Sequence, residues 1–186
     1  MEADLIQHAR QGDPTAWEAL IQQHQTAVFR LAFLMLGTAD EADDVAQETF
    51  IRAFRMLDRF DPTRPLRPWL LRITSNLARN HHRSIGRHLE ALKRFHQSEI
   101  EVQHVSAERE NWQHMEAQAL WQAVRRLSSA DQQMIYLRYF LELSVSEVAE
   151  TLNIAPGTVK SRLHRALSRL RGVVERDFPI LWEERV

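Results

Sequence analysis

The chain of 186 residues contains no cysteine, and it has only five glycines and six prolines. The lack of cysteine excludes a disulfide framework, a thiolate nucleophile and a cysteine-based zinc site. With so few glycines and prolines, the chain contains few helix-breaking residues. Runs of β-branched residues are scarce, and Leu, Ala, Glu, Gln and Arg are abundant. The predicted fold class is therefore all-α.

Long apolar runs are also absent. The longest lies around residues 31–36, far short of the about 20 residues that a membrane-spanning helix needs. The N-terminus lacks the basic start and apolar stretch of a signal peptide. We expect a cytoplasmic protein with no membrane insertion.

Motifs for catalysis are missing as well. The sequence has no glycine loop that would cradle a phosphate and no nucleophile motif. Its nine histidines form neither an HExxH motif nor i, i+4 pairs flanked by carboxylates. We expect a protein that is not an enzyme, with no metal and no cofactor.

The charge is nearly balanced overall but unevenly distributed. The net charge is −1, yet residues 112–171 hold eight Lys and Arg against five Asp and Glu, whereas residues 1–83 hold ten against eleven. This distribution favours a basic module that binds DNA and an acidic stretch that binds a protein.

The segment 144–171 has the pattern of a helix-turn-helix. Ser144 and Glu147 form a capping box, Asn153 tolerates the left-handed conformation that ends helices, and Pro156 suits the start of a second helix. One face of that second helix is apolar, at Val159, Leu163, Ala166, Leu167 and Leu170. The opposite face is polar and cationic, as expected of a helix that reads the major groove. The alternative is a solvated basic helix.

Periodicity and capping signals predict six further helices. Asp13 and Thr38 are expected to cap the second and third, Gly37 to end the second, and Ser129 with Gln132 to cap the sixth. The six helices are predicted at 4–11, 14–36, 39–57, 69–83, 112–127 and 129–140.

The first turns of the 39–57 helix carry more carboxylates than capping requires. They indicate either compensation of the helix dipole on a solvated face or a docking surface for a basic partner. The 69–83 helix follows a loop rich in proline and arginine, and its polar face includes Thr74 and Ser75. Amides, hydroxyls and arginines beside an aromatic suit single-stranded DNA, although many polar helix faces are simply hydrated.

Three motifs in this order resemble the extracytoplasmic-function (ECF) group of bacterial RNA polymerase sigma factors, within the sigma-70 family. They are DDVAQETFIRAFR at 43–55, RPWLLRITSNLARNHHR at 67–83 and LSVSEVAETLNIAPGTVKSRLHRALSRLR at 143–171. A stand-alone helix-turn-helix regulator with a helical sensor or dimerisation domain is the alternative. It would share GTVKSRL but would not need the first two motifs.

The resemblance implies two helical domains joined by a flexible linker. Residues 1–83 would bind RNA polymerase and melt the minus-ten promoter element, residues 84–111 would be the linker, residues 112–171 would read the minus-thirty-five element, and residues 172–186 would be a tail. The implied partners are core RNA polymerase, through its β′ clamp helices and β flap, promoter DNA and an anti-sigma factor. The implied function is transcription initiation under stress or envelope signals.

The resemblance also implies three sets of site residues. Polymerase would contact Asp43, Asp44, Gln47, Glu48 and Phe50. The minus-ten DNA would contact Phe60, Arg64, Arg67, Trp69, Arg72, Asn76, Arg79 and Asn80. The minus-thirty-five DNA would contact Thr158, Lys160, Ser161, Arg162, His164, Arg165 and Arg169. The chain departs from the family where it has Ala155 and Pro156, because a serine-like cap usually precedes the recognition helix.

Overall fold

The computed structural model describes the backbone of residues 2–92 and 111–181, and the side chains of residues 2–81 and 116–181. These ranges form helices and turns without a strand. The all-α prediction is confirmed. Residues 93–110 of the predicted linker and 182–186 of the predicted tail lie outside the described residues. The helices are α1 Glu2–Arg10, α2 Pro14–Leu36, α3 Ala39–Met56, α4 Leu66–Leu92, α5 Asn111–Arg125, α6 Ser129–Ile135, α7 Val145–Leu152 and α8 Pro156–Asp177.

Several helix ends follow local capping chemistry. The carboxylate of Asp13 accepts hydrogen bonds from the first turn of α2, and Gly37 ends that helix with φ of 95°. Thr38 caps α3 by accepting from the backbone N–H of Glu41 at 3.4 Å. At α7 both halves of the predicted capping box are present, and Asn153 ends the helix in the left-handed conformation. These five predictions are confirmed.

Other boundaries differ from the predictions. Helix α4 begins at Leu66 instead of residue 69 and continues to Leu92, so the first part of the predicted linker is helical. Pro68 then falls in the first turn, where a missing N–H costs nothing. Helix α8 runs six residues past Arg171, so the predicted tail begins as helix.

The predicted cap of α6 and the length of this helix are wrong. The residue whose side chain caps the helix is Ser128 and not Ser129. The Ser128 hydroxyl accepts from the backbone N–H of Asp131. After Ile135 the backbone changes to a π-helical turn over Tyr136–Phe140. Two adjacent serines offer the same local signal, and the extended backbone at Ser128 decides between them.

Helices α1 to α4 enclose an N-terminal core. Buried apolar side chains from all four helices meet there, and Trp17 packs edge-on against Phe50 with ring centroids 6.3 Å apart. A smaller cluster joins α2, α3 and α4 around Ala32, Ala42 and Ala78.

The C-terminal helices form a core that extends into the N-terminal half. Its buried residues come from α5, α6, α7, α8 and the π-helical turn, but Leu31 of α2 and Leu71 of α4 belong to the same cluster. Both leucines have 0% exposure. The two helical domains are therefore packed against each other, with α4 lying against α7.

Glu142 follows the π-helical turn with φ of 58°. A side chain with a Cβ is strained in this conformation, whereas glycine adopts it without cost. We expect Glu142→Gly to stabilise the fold by roughly 0.5–1 kcal/mol, measured as a rise in melting temperature. Asn153→Gly is the matched control, because asparagine tolerates its φ of 55° and should gain less. Equal or smaller stabilisation at Glu142 would contradict the strain argument.

Candidate nucleic-acid interface

The recognition helix α8 begins at Pro156 without a side-chain cap, since Ala155 makes no such hydrogen bond. Its first turns present a polar face in which the hydroxyl of Ser161 donates to the Thr158 carbonyl at 3.1 Å. The Nε of Arg165 donates to the Ser161 carbonyl at 3.2 Å. Thr158 is half-buried, and the other predicted base-reading and phosphate-binding residues of these turns are exposed, namely Lys160, Ser161, Arg162, His164 and Arg165.

Packing against α7 sets the orientation of this face. Val159 and Ala166, on the opposite side of α8, have 0% exposure, and Val148 and Ala149 of α7 are buried in the same cluster. Leu167 does not follow the predicted apolar face, because it is 37% exposed. The buried stripe is thus narrower than predicted, which leaves most of the circumference of α8 to polar contacts.

Arg169 is already bound within the C-terminal domain. One of its terminal nitrogens donates to both carboxylate oxygens of Asp131, at 2.9 and 2.8 Å. Asp131 is only 8% exposed and also accepts from the Ser128 hydroxyl at 2.8 Å. This side chain, which was predicted to contact minus-thirty-five DNA, therefore holds α8 against the start of α6.

The loop at residues 60–67, called the minus-ten loop because it supplies residues predicted to contact minus-ten DNA, contains an ordered turn. The Thr63 hydroxyl and backbone N–H both donate to one carboxylate oxygen of Asp61, at 2.7 and 3.0 Å. The hydrogen bonds from Thr63 hold the pKa of Asp61 below its usual range. The backbone N–H of Arg64 donates to the Asp61 carbonyl at 3.1 Å. The loop geometry presents the exposed Arg64 beside the aromatic pair of Phe60 and Trp69, whose ring centroids lie 4.8 Å apart.

Two residues outside the predicted sets hold this loop in place. Arg10 at the end of α1 donates to the carbonyl of Leu57 at 3.0 Å and also to that of Phe60. Glu2 accepts from the backbone N–H of Leu66 at 3.3 Å while it contacts His24 at 2.8 Å. The sequence pattern shows these side chains only as charges at the ends of a short helix, because their partners lie far along the chain.

The polar face of α4 is narrower than predicted. Asn76, Arg79 and Asn80 are exposed, and Arg79 donates to the Asn76 side-chain oxygen at 2.9 Å. Thr74 and Ser75 were expected on this face, but both have 0% exposure. Thr74 instead donates to the Leu70 carbonyl, so its hydroxyl is satisfied inside the helix bundle.

Helix α3 presents the predicted docking residues on one side, with one exception. Asp43, Asp44 and Gln47 are exposed, whereas Phe50 is only 9% exposed, so its ring supports the core instead of facing a partner. Glu48 is half-buried and pairs with Arg52 at 2.6 Å.

Two apolar side chains of α3 were missed by the sequence analysis. Ile51 is 46% exposed and Phe54 is 51% exposed. Ile51 lies seven positions after Asp44, and Phe54 lies seven after Gln47, so both continue the acidic side of the helix. Sequence alone assigns such residues to the core, because the helical period does not reveal which edge of an apolar stripe remains uncovered.

Two further results concern other classes of site. Within the described ranges, no three His, Asp or Glu side chains come together as a metal site. None of the helices in those ranges is long and apolar enough to cross a membrane.

Comparison with known proteins agrees with this geometry. The family model for Sigma-70 region 2 matches residues 20–88, and the model for Sigma-70 region 4 matches residues 117–170. The chain is 33% identical over 175 residues to the ECF RNA polymerase sigma factor SigW of Bacillus subtilis, covering 89% of this chain and 92% of that protein. The chain is an ECF sigma factor of the sigma-70 family.

Other relatives and structures match nearly the whole of this sigma factor. The RNA polymerase sigma factor NccH of Alcaligenes xylosoxydans is 32% identical over 173 residues, which cover 92% of this chain and 93% of that protein. The structure of CnrH in complex with the cytosolic domain of CnrY has a TM-score of 0.69 and 26% identity, covering 95% of this chain and 98% of that chain. RpoE of Bartonella quintana, bound to the anti-sigma factor NepR, shares the fold at a TM-score of 0.65 and 24% identity, over 86% and 97% of the two chains.

The ion pair of Arg169 predicts an effect on stability. The Arg169→Ala substitution leaves the nearly buried Asp131 carboxylate without its charged partner. We expect a loss of about 1–2 kcal/mol, between the values for surface and buried pairs. Arg165→Ala is the control, because its side chain is exposed, and it should change stability by less than about 0.5 kcal/mol. Chemical denaturation of both variants measures the difference, and equal losses would refute the assignment.

Proposed function

We propose that this sigma factor reads the minus-thirty-five element with the first turns of α8. It opens the minus-ten element with the minus-ten loop, which precedes α4, and with the polar face of α4. The observation that carries this proposal is the exposed cationic face from Lys160 to Arg165 on a helix whose opposite side is packed. Side chains of this kind reach base edges and phosphates in the major groove. Asn76 and the minus-ten loop lie on the other helical domain.

The factor itself has no catalytic role in this proposal and acts in the cytoplasm. It supplies binding energy and sequence preference, while the polymerase performs the chemistry. Residues 1–83 serve docking and melting, residues 112–171 serve minus-thirty-five recognition, and residues 84–111 connect them. In this proposal, the factor responds to stress or envelope signals. A stand-alone helix-turn-helix regulator is disfavoured because both sigma regions match.

Docking on core RNA polymerase is assigned to α3. The exposed carboxylates of Asp43 and Asp44 provide charge complementarity to a basic partner, which mainly accelerates association. Ile51 and Phe54 provide apolar contact area beside them, and burial of apolar side chains contributes to affinity. The β′ clamp helices are the proposed partner of this surface, and the β flap that of the C-terminal domain.

An anti-sigma factor is a further proposed partner. CnrH and RpoE of Bartonella quintana were both solved in complex with partner proteins, the cytosolic domain of CnrY and the anti-sigma factor NepR. The packed arrangement of the two domains in this chain is compatible with a partner that contacts both.

The docking surface gives a first test. Reversing two charges in Asp44→Lys with Glu48→Lys should weaken binding to core polymerase about tenfold or more, because like charges would then face the basic partner. Ile51→Ala should weaken binding by a smaller factor through lost contact area. Glu18→Lys, an exposed position on α2, is the charge-reversal control. Unchanged affinity of the double variant, with an intact circular dichroism spectrum, would remove α3 from the interface.

Strand opening gives a second test. Asn76→Ala removes an amide that can bond to an unstacked base, and base unpairing costs a few kcal/mol. The variant should form fewer open complexes on duplex promoters, and the loss should be smaller on templates already melted at the minus-ten element. Permanganate footprinting measures both. An equal loss on the two templates would indicate a folding defect instead.

Base recognition gives a third test. Arg165→Ala should cost about 1–3 kcal/mol on the cognate minus-thirty-five element and reduce discrimination at one base position. The measurement is holoenzyme binding to cognate and singly substituted duplexes over a range of salt concentrations. A uniform loss of affinity on every duplex would assign Arg165 to a phosphate.

A further inference from the structure

A small pocket lies at the predicted minus-ten loop. Its volume is about 220 Å³, and the packed rings of Phe60 and Trp69 form part of its wall. Most of its other lining residues come from the loop and α4, but one comes from the C-terminal domain. These other residues are Arg59, Asp61, Arg64, Pro65, Arg72 and Glu150 of α7.

Glu150 forms an ion pair inside this pocket. Its carboxylate accepts from a terminal nitrogen of Arg64 at 3.0 Å, across 86 positions of the sequence. The side chain of Glu150 is 32% exposed and that of Arg64 is 56% exposed. The Asp61 turn, which fixes the backbone at Arg64, therefore presents this guanidinium to a carboxylate of the helix-turn-helix.

A second arginine of the loop is engaged in the same way. Arg67 donates to the backbone carbonyl of Leu141 at 2.9 Å, just before α7. Next to these polar contacts, Leu71 is fully buried in the cluster shared with the C-terminal domain. Two of the arginines assigned to minus-ten DNA are thus bonded to the domain assigned to minus-thirty-five DNA.

The promoter requires these contacts to separate. The two elements are centred about 25 base pairs apart, which is about 85 Å along B-form DNA. A compact chain of this length has a radius of gyration of about 16 Å, so the packed arrangement is too short to reach both elements at once. The terminal nitrogen of Arg64 that is bonded to Glu150 must also release the carboxylate before it binds a phosphate.

We propose that the Glu150 carboxylate occupies the place of a minus-ten DNA phosphate on Arg64. This contact, called the latch, holds the helix-turn-helix domain over the minus-ten pocket until polymerase and promoter separate the two domains. A carboxylate and a phosphate present the same anionic oxygens to an arginine. This inference rests on the proposed role of the loop in binding DNA. The latch itself is a property of the free chain and is measured without DNA.

The absence of cysteine allows the latch to be measured directly. Gln11→Cys and Ser168→Cys, both at exposed positions, accept one spin label in each domain of the full chain. Pulsed electron paramagnetic resonance then reports the distances between the labels. The free factor should show a major population at short distance, and addition of core polymerase should replace it by a longer one.

Charge variants test whether the ion pair of Arg64 and Glu150 keeps the chain closed. In the labelled chain, Glu150→Gln should raise the ratio of open to closed molecules by about 1.5- to 5-fold, the range for an exposed ion pair. Glu175→Gln is the matched control, because that carboxylate pairs with Arg171 of its own helix at 2.8 Å, and it should leave the ratio unchanged. Glu150→Arg should open the chain further, and adding Arg64→Glu should restore closure.

A transcription assay distinguishes closure of the free chain from competition between Glu150 and DNA for Arg64. With limiting factor, Glu150→Gln should lower the half-saturating concentration of factor by the same 1.5- to 5-fold, with no change at saturation. Distances unaffected by Glu150→Gln, or not restored by the charge swap, would overturn the latch. Changed distances with an unchanged half-saturating concentration would overturn competition with DNA. Failure of the unsubstituted factor to support transcription would instead refute the proposed function, while the distances would still report closure.

Discussion

The arrangement of the two helical domains depends on the burial of two consecutive leucines on different sides of α4. Leu70 packs into the N-terminal core and Leu71 into the core shared with the helix-turn-helix domain, with exposures of 1% and 0%. Consecutive residues on a helix are separated by about 100°, so α4 is enclosed from two directions. Burial of one leucine contributes about 1.5–3 kcal/mol, whereas an exposed ion pair such as Arg64 with Glu150 contributes at most about 1 kcal/mol. Apolar packing therefore contributes most of the stability of the contact between the domains, and the ion pair adds a smaller share that charge variants can remove.

Arginine has two distinct uses in this protein. Arg10, Arg67 and Arg169 donate to carbonyls or a carboxylate in other elements and hold those elements in place. Arg162 and Arg165 are exposed on α8, where we propose that they contact DNA. Because the guanidinium group carries several donors in a rigid plane, it satisfies helix and loop ends that have no partner of their own. A count of cations on a helix face therefore overestimates the contacts with nucleic acid.

The proposed docking and melting surfaces are rigidly connected. Thr49 of α3 and Thr74 of α4 are completely buried, and their hydroxyls lie 3.3 Å apart. Each hydroxyl also donates to a carbonyl of its own helix, so neither is left unsatisfied in the core. Small polar side chains at this crossing allow close approach of the two helices. A partner bound on α3, as proposed, would therefore also be positioned relative to the exposed face of α4.

The sequence by itself determined the features that depend on near neighbours. The all-α class, the capping box at Ser144 and the left-handed stop at Asn153 were predictable, because each involves residues within a few positions of one another. The order of the motifs was sufficient to predict the two domains and the family. Exposure of the recognition face followed from the helical period, except at the half-buried Thr158, and Leu167 of the apolar face is exposed instead of buried.

Only the tertiary structure decided which polar groups find partners at a distance. Arg169 and Asp131 are 38 positions apart, and Arg67 and Leu141 are 74 apart, so no local pattern reveals that these arginines are already bonded. The burial of Leu71 against the second domain, and of Phe50 within the first, depends on which helices pack together. Helical periodicity defines a face but does not say what covers it, because burial results from contacts between elements that are distant in sequence.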